Sequence, residues 1–277
     1  MKLVKALFVA LFLLSAEMQG TPLIVRTGNV NKPFQVLGWV TATYYEHNQL
    51  YDWNQDRFDR VSTPLKVFNA DLMAGLGLPG NIDLNLVLPV TSKTSGNLKS
   101  SGIGDMMVMA RYGLFQGSVL PLRAALGMGL YLPTGKKDAT PALGDGSTDL
   151  GFGVSLITAN IPFITGHLRA AYWLNGRSED VKYGNLFEYV AVLDLGVLPG
   201  LTPELALSGY RQDRQEVSGV EVPNSELNRT FLHALLIWKP LPMLTIRPKL
   251  GLPLKSLCQG GGLADLYPGL DVWVTVP

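Results

Sequence analysis

Three histidines, His47, His167 and His233, are the side chains of this 277-residue chain best suited to move a proton near neutral pH. Hydrolysis by a serine nucleophile would need one of them beside a serine. The nearest downstream serine to His47 is Ser62, across a loop, His167 has Ser178 on a separate loop, and His233 sits in the middle of its segment. Spacing supplies no catalytic pair, so no catalytic residue is assigned and the chain reads as a non-enzyme. Metal ligation fails for a similar reason, because no two histidines share one face at ligand spacing. The single cysteine, Cys258, rules out an internal disulfide framework and any multi-cysteine metal or redox motif. Gly144-Asp145-Gly146-Ser147 has the look of a phosphate loop, but no lysine or following helix completes it. No cofactor is expected.

What remains is a set of charges at alternate positions of apolar segments. Asp71, Asp83, Asp105, Arg111, Arg123, Asp149, His167, Arg169, Glu188, Asp194, Arg247, Lys249 and Asp271 all occupy such positions. Both signs occur in similar number. Over the whole chain 23 Lys+Arg stand against 22 Asp+Glu, a net charge of +1, so there is no basic excess for a phosphate backbone and nucleic acid is not expected as a partner.

The segments that carry these charges have the period of strands. Leu122, Ala124, Leu126, Met128, Leu130 and Leu132 alternate with Arg123, Ala125, Gly127, Gly129 and Tyr131. Ile82 to Val90 and Leu150 to Leu156 alternate in the same way, one face greasy and the other polar or tiny. Weaker examples are Leu37 to Tyr45, Phe68 to Leu76, Met106 to Leu114, Ile164 to Leu174, Phe187 to Val197, Leu205 to Arg211, Arg229 to Ile237, Leu244 to Leu252 and Leu270 to Val276. They bring the total to twelve strands.

Two classes of connection alternate between them. Short turns fall at Leu78 to Asn81, Gln116 to Pro121, Thr158 to Pro162, Pro199 to Pro203 and Lys239 to Met243. Longer polar loops run from Asn48 to Arg60, Ser92 to Gly102, Thr134 to Ser147, Asn175 to Asn185, Asp213 to Glu226 and Pro253 to Tyr267. That alternation is expected of an all-β fold, a transmembrane antiparallel β-barrel of about 12 strands with short periplasmic turns and longer extracellular loops. A strand in hydrocarbon must satisfy its backbone groups sideways, and closure leaves no unpaired edge.

Trp39, Tyr44, Tyr45, Tyr112, Tyr131, Tyr172, Trp173, Tyr189 and Trp238 fall near segment ends, where interfacial girdles are expected. At the N-terminus, Lys2 and Lys5 precede the apolar run Ala6 to Leu14, which is half of what a spanning helix needs and reads as a secretory signal peptide over residues 1–20. The barrel is then assigned to residues 21–277, without a lipid tail.

Within that barrel Asp83, Asp105, Arg111, Arg123, Asp149, Arg169 and Arg247 are assigned as lumen-lining. They either pair into a filling network or line a weakly selective path, and unpaired burial would be too costly. Asp105, Arg111, Arg123 and Asp149 are expected to form a charge-paired constriction. Lys136 and Lys137 give one external loop positive charge, which either binds lipopolysaccharide or is simply solvated.

Leu88-Pro89-Val90, Gly102-Ile103-Gly104-Asp105 opening a strand, Leu132-Pro133-Thr134-Gly135, and Gly146-Ser147-Thr148-Asp149 opening the next strand occur in that order. Together they resemble the bacterial outer-membrane proteins of the meta-pathway phenol-degradation family. The chain ends Trp273-Val274-Thr275-Val276-Pro277, without the terminal aromatic residue usual in such barrels. The resemblance implies a barrel in the cell outer membrane that passes small compounds, hydrophobic or aromatic ones among them. Its partners are then outer-membrane lipid and lipopolysaccharide, a small-molecule solute and the barrel assembly machinery. The alternative is a structural or surface-interaction barrel whose loops matter more than its lumen.

Overall fold

In a computed structural model of the chain, the structure describes residues 29–115, 122–158, 163–196 and 200–276. The signal peptide assigned to residues 1–20 lies outside the described residues. Twelve antiparallel strands close into a barrel: β1 (Val36–Asp52), β2 (Arg57–Leu78), β3 (Ile82–Ser95), β4 (Met106–Phe115), β5 (Leu122–Leu132), β6 (Asp149–Thr158), β7 (Ile164–Leu174), β8 (Leu186–Leu195), β9 (Leu201–Gln212), β10 (Leu227–Leu241), β11 (Leu244–Pro253) and β12 (Tyr267–Val276). Each pairs with its neighbours in sequence. Closure comes from β1 and β12, in the register Val36↔Val276, Trp39↔Trp273 and Thr43↔Gly269. No described helix is long and apolar enough to cross a membrane.

Most strands keep the period-2 pattern of their sequence, β7 and β10 less sharply than the rest. In β3, Leu84 and Leu86 are exposed and Asp83, Asn85 and Val87 are buried; in β5 and β6, Leu126, Met128 and Phe152 are exposed. The exposed rows form an apolar outer wall, as hydrocarbon requires, and the buried rows fill the interior. The same parity splits the aromatic residues, which are not one girdle. Tyr44, Tyr112, Tyr172 and Trp238 do lie on the outer wall, but Trp39, Tyr45 and Trp173 are buried inside, because they share the parity of Thr41, His47 and Ala171.

Two features lie beyond the sequence pattern. The expected loop from Asn48 to Arg60 is mostly strand, since β1 runs to Asp52, β2 starts at Arg57, and a four-residue turn joins them. Likewise Leu98–Ile103 folds back on β3 from Val90↔Ile103 to Ser95↔Leu98, so the second outer connection is itself a hairpin. The outer loops are hereafter L3 (133–148), L4 (175–185), L5 (213–226) and L6 (254–266). Outside the barrel, Arg177–Ser178 and Val181–Lys182 of L4 pair with Glu216–Val217 and Val220–Glu221 of L5 in a small four-stranded sheet.

Candidate functional site

The interior is the candidate site, because all buried rows converge on it. Its middle is a continuous apolar belt that includes Trp39, Met73, Val87, Met107, Met109, Trp173 and Trp273. Aromatic side chains pair within it: Trp39 and Trp273 stand 5.3 Å apart between ring centroids, and Tyr131 and Trp173 stand 4.6 Å apart. Towards the outer mouth the lining continues through Phe231 and Tyr267, at 5.0 Å, to Tyr45, at 5.2 Å from Tyr267. The indole N–H of Trp173 donates to Glu188 at 3.1 Å, which satisfies the polar edge of an otherwise apolar ring.

Most charges beside this belt are ion-paired, whereas Asp71 is held by the Asn69 amide at 2.7 Å. Arg247 donates through Nε to Asp271 at 2.8 Å and through Nη1 to both oxygens of Glu204 at 3.3 Å, while Lys249 donates to the second Asp271 oxygen at 2.8 Å. The Arg247 guanidinium also lies over the rings of Trp39 and Trp273, 5.6 and 5.1 Å from their centroids. Arg111 forks onto Asp83 on the adjacent strand, through Nε at 2.9 Å and Nη2 at 2.5 Å. Arg169 is half-buried on β7 and lines a cavity of about 30 Å³ with Arg111, Ser155 and the inward glycines of β5 and β6.

At the short-turn end the chain entering β1 tucks into the barrel. The Asn31 N–H donates to Asp83 at 2.9 Å, Arg123 donates to Asn29 at 3.0 Å, and Phe34 and Gln35 exchange backbone hydrogen bonds with Gly77. A Cβ on Gly77 would lie 1.8 Å from the Lys32 carbonyl oxygen, so only glycine admits this segment. The sequence gives one trace of it, a glycine at an inward position.

At the outer mouth the two aspartates of the glycine motifs act as clasps for loops. Asp105 accepts the N–H groups of Gly135 and Asp145, both at 2.9 Å, and so holds both arms of L3. Asp149 accepts the Ser147 hydroxyl at 2.6 Å and the Gly176 N–H of L4 at 2.8 Å. Gly144 lies against the Asp105 carboxylate, where a Cβ would come within 2.5 Å of an oxygen, which explains the run that looks like a phosphate loop. The expected cluster of Asp105, Arg111, Arg123 and Asp149 is therefore not assembled: the arginines bond Asp83 and Asn29 near the short-turn end, and the aspartates bond backbone N–H groups at the mouth. Burial pushes the Asp145 carboxyl in L3 up to about 7, and the nearby Asp149 charge pushes the same way. Lys137 pairs with Glu179 of L4.

L6 closes the mouth from the opposite side. Arg229, fully buried on β10, donates to the carbonyls of Asn228, Gln259, Gly260 and Gly262 at 2.6 to 3.0 Å. Within the loop Cys258, Leu263 and Ala264 are buried.

The histidines stand apart from one another. His47 is buried beside Tyr45, and His167 meets Asp194 at 2.9 Å. His233 Nε2 lies 2.7 Å from the Ser208 hydroxyl, a contact sequence spacing did not reveal because the two sit diagonally on β9 and β10. The Nδ1 side of His233 packs over Gly251, and among the described residues no carboxylate bonds it. The pair therefore lacks the third group that would orient the base.

Comparison with solved structures finds this fold among outer-membrane barrels. An outer membrane channel from Pseudomonas putida F1 superposes with a TM-score of 0.77 at 13% identity, covering 91% of this chain and 99% of that one. The NanC porin gives 0.54 at 12% identity over 85% and 98% of the two chains, and the KdgM porin gives 0.50 at 10% identity over 87% and 99%. At these identities the likeness is one of fold. Comparison with curated proteins finds no match. The motif order, the twelve-strand closure and the sequence agree on one assignment: the chain belongs to the family described as "Putative MetA-pathway of phenol degradation", whose pattern matches residues 27–253.

Proposed function

We propose that the chain is an outer-membrane channel for the passive passage of small compounds, hydrophobic or aromatic ones among them. One observation carries this reading. Tryptophans and methionines pack together in one cluster inside the barrel, while Arg247 is paired with Asp271 and Arg111 with Asp83 beside them. Such a lining favours desolvated, apolar solutes and gives a hydrated ion little to exchange for its water shell. The inward residues Asp83, Arg111, Arg123, Arg169 and Arg247 shape that path, and Asp105 and Asp149 shape its mouth. The chain works without a catalytic step or a cofactor.

The same reading makes residues 1–20 the signal peptide of an exported chain, with the barrel assembly machinery inserting it and outer-membrane lipid and lipopolysaccharide surrounding it. Uptake of a radiolabelled monoaromatic hydrocarbon by cells expressing the protein, against cells carrying empty vector, tests the proposal. Faster uptake supports it. Equal uptake at equal barrel content overturns it and favours a barrel that acts through its outer loops.

A further inference from the structure

The chain that leads into β1 runs back along the inner wall of the barrel. Asn29 accepts from Arg123 on β5 at 3.0 Å, the Asn31 N–H donates to Asp83 on β3 at 2.9 Å, and Phe34 and Gln35 close on Gly77 of β2. The segment therefore spans five consecutive strands of the twelve, β1 to β5. Asn31 is buried, and a Cβ on Gly75 would meet its amide at 3.1 Å and that of Asn85 at 2.8 Å. Gly75 and Asn85 face each other across β2 and β3 and are the next inward positions after Met73 and Val87 of the belt. Asn31 thus lies directly on the short-turn side of the belt, where a solute leaving it between β2 and β3 meets this strap.

We propose that residues 29–35 gate the short-turn end of the lumen, and that the strap leaves its seat beside Gly75 and Gly77 when a solute passes. The proposal rests on the channel reading above. The seat is imperfect: Asn31 Nδ2 and Arg123 Nε are buried without a hydrogen-bond partner among the described residues. Buried donors left unsatisfied cost free energy, which water returns when the strap lifts. Lys32, Pro33 and Phe34, the turn on which it would swing, are exposed. Asp83 keeps both bonds from Arg111 when Asn31 departs, so its charge stays paired. A segment held in this way opens locally at a small fraction of the cost of unfolding the barrel.

The test is Gly77→Ala. Its methyl would sit 1.8 Å from the Lys32 carbonyl oxygen, which unseats the strap while adding a single carbon to the wall. Uptake of a radiolabelled monoaromatic hydrocarbon by cells should rise several-fold over wild type at equal barrel content. Unseating is read independently in a Cys258→Ser chain carrying Asn31→Cys, whose thiol should react slowly with a maleimide when Gly77 is kept and rapidly when Gly77→Ala is added. Rapid labelling with wild-type uptake overturns the gate, and slow labelling overturns the seat on which it depends. If Gly77→Ala does not fold, as shown by loss of the heat-dependent gel shift, the double variant Asn29→Ala with Asn31→Pro serves instead. It removes the bonds of the strap to β5 and β3 without altering the wall, so unchanged uptake there overturns the gate equally. Failure of the channel reading shows separately, as wild-type uptake no faster than that of empty vector.

Discussion

Arg111 grips both oxygens of the Asp83 carboxylate from the neighbouring strand, and the same carboxylate accepts the N–H of Asn31. The buried pair therefore does two jobs, joining β3 to β4 and holding the chain that enters β1. Breaking one side of such a pair costs about 3 to 5 kcal/mol, because the remaining charge stays buried. Arg111→Met should lower the stability of the barrel, measured by urea unfolding from lipid vesicles, by that order. Adding Asp83→Asn should recover most of the loss.

The wall can be tested by neighbours of opposite parity. Leu126 is 47% exposed near the middle of β5, and a Cβ on Gly127 would meet the Arg111 side chain at an ordinary 3.6 Å. Leu126→Arg should cost about 2 to 4 kcal/mol in vesicle unfolding, as a cation facing mid-bilayer does. Gly127→Ala should cost far less. Equal costs would reverse the inward and outward faces.

L3 should respond to pH. The folded loop favours the protonated form of Asp145, whose pKa stands at about 7 against an ordinary value near 3.8. Its contribution to holding L3 is thus full below about pH 4 and is lost as pH rises through 7. Proteolysis within L3 should be slower at pH 5 than at pH 8. Asp145→Asn, which keeps an oxygen for the Ser147 N–H, should flatten that difference.

Cys258 reports on L6. The thiol is a buried part of L6, the loop that Arg229 pins through three carbonyls, so wild-type protein should resist maleimide labelling without denaturant. Arg229→Met removes all three bonds to the loop and should expose the thiol to rapid labelling in folded barrels. Slow labelling of the variant would show that apolar packing alone holds L6.

The strands were legible because hydrocarbon outside and a packed interior force a period of two, which Leu126 beside Gly127 and Leu84 beside Asp83 display openly. The pattern faded where β1 and β2 rise above the bilayer. There Glu46 to Asp59 pair through their backbones, but neither face needs to be apolar, so strand reads as loop. Partnerships were less legible than faces. That Arg111 meets Asp83 and not Asp149 depends on strand register, which is set by turns and not by residue type. The entry of Asn29 to Gln35 into the barrel was barely legible, since the segment has no period and its one trace is Gly77, which makes room for it.

Trp39 and Trp273 face each other across the seam between β1 and β12, at opposite ends of the polypeptide. Every other barrel pairing joins strands consecutive in the chain and can form hairpin by hairpin, whereas this one must wait for the largest loop closure in the molecule. The tryptophan pair is therefore the last part of the interior to assemble. Substitutions at the seam should slow refolding into vesicles, whereas changes in L3, which joins β5 to β6, should leave the folding rate alone and register only in the rate of unfolding.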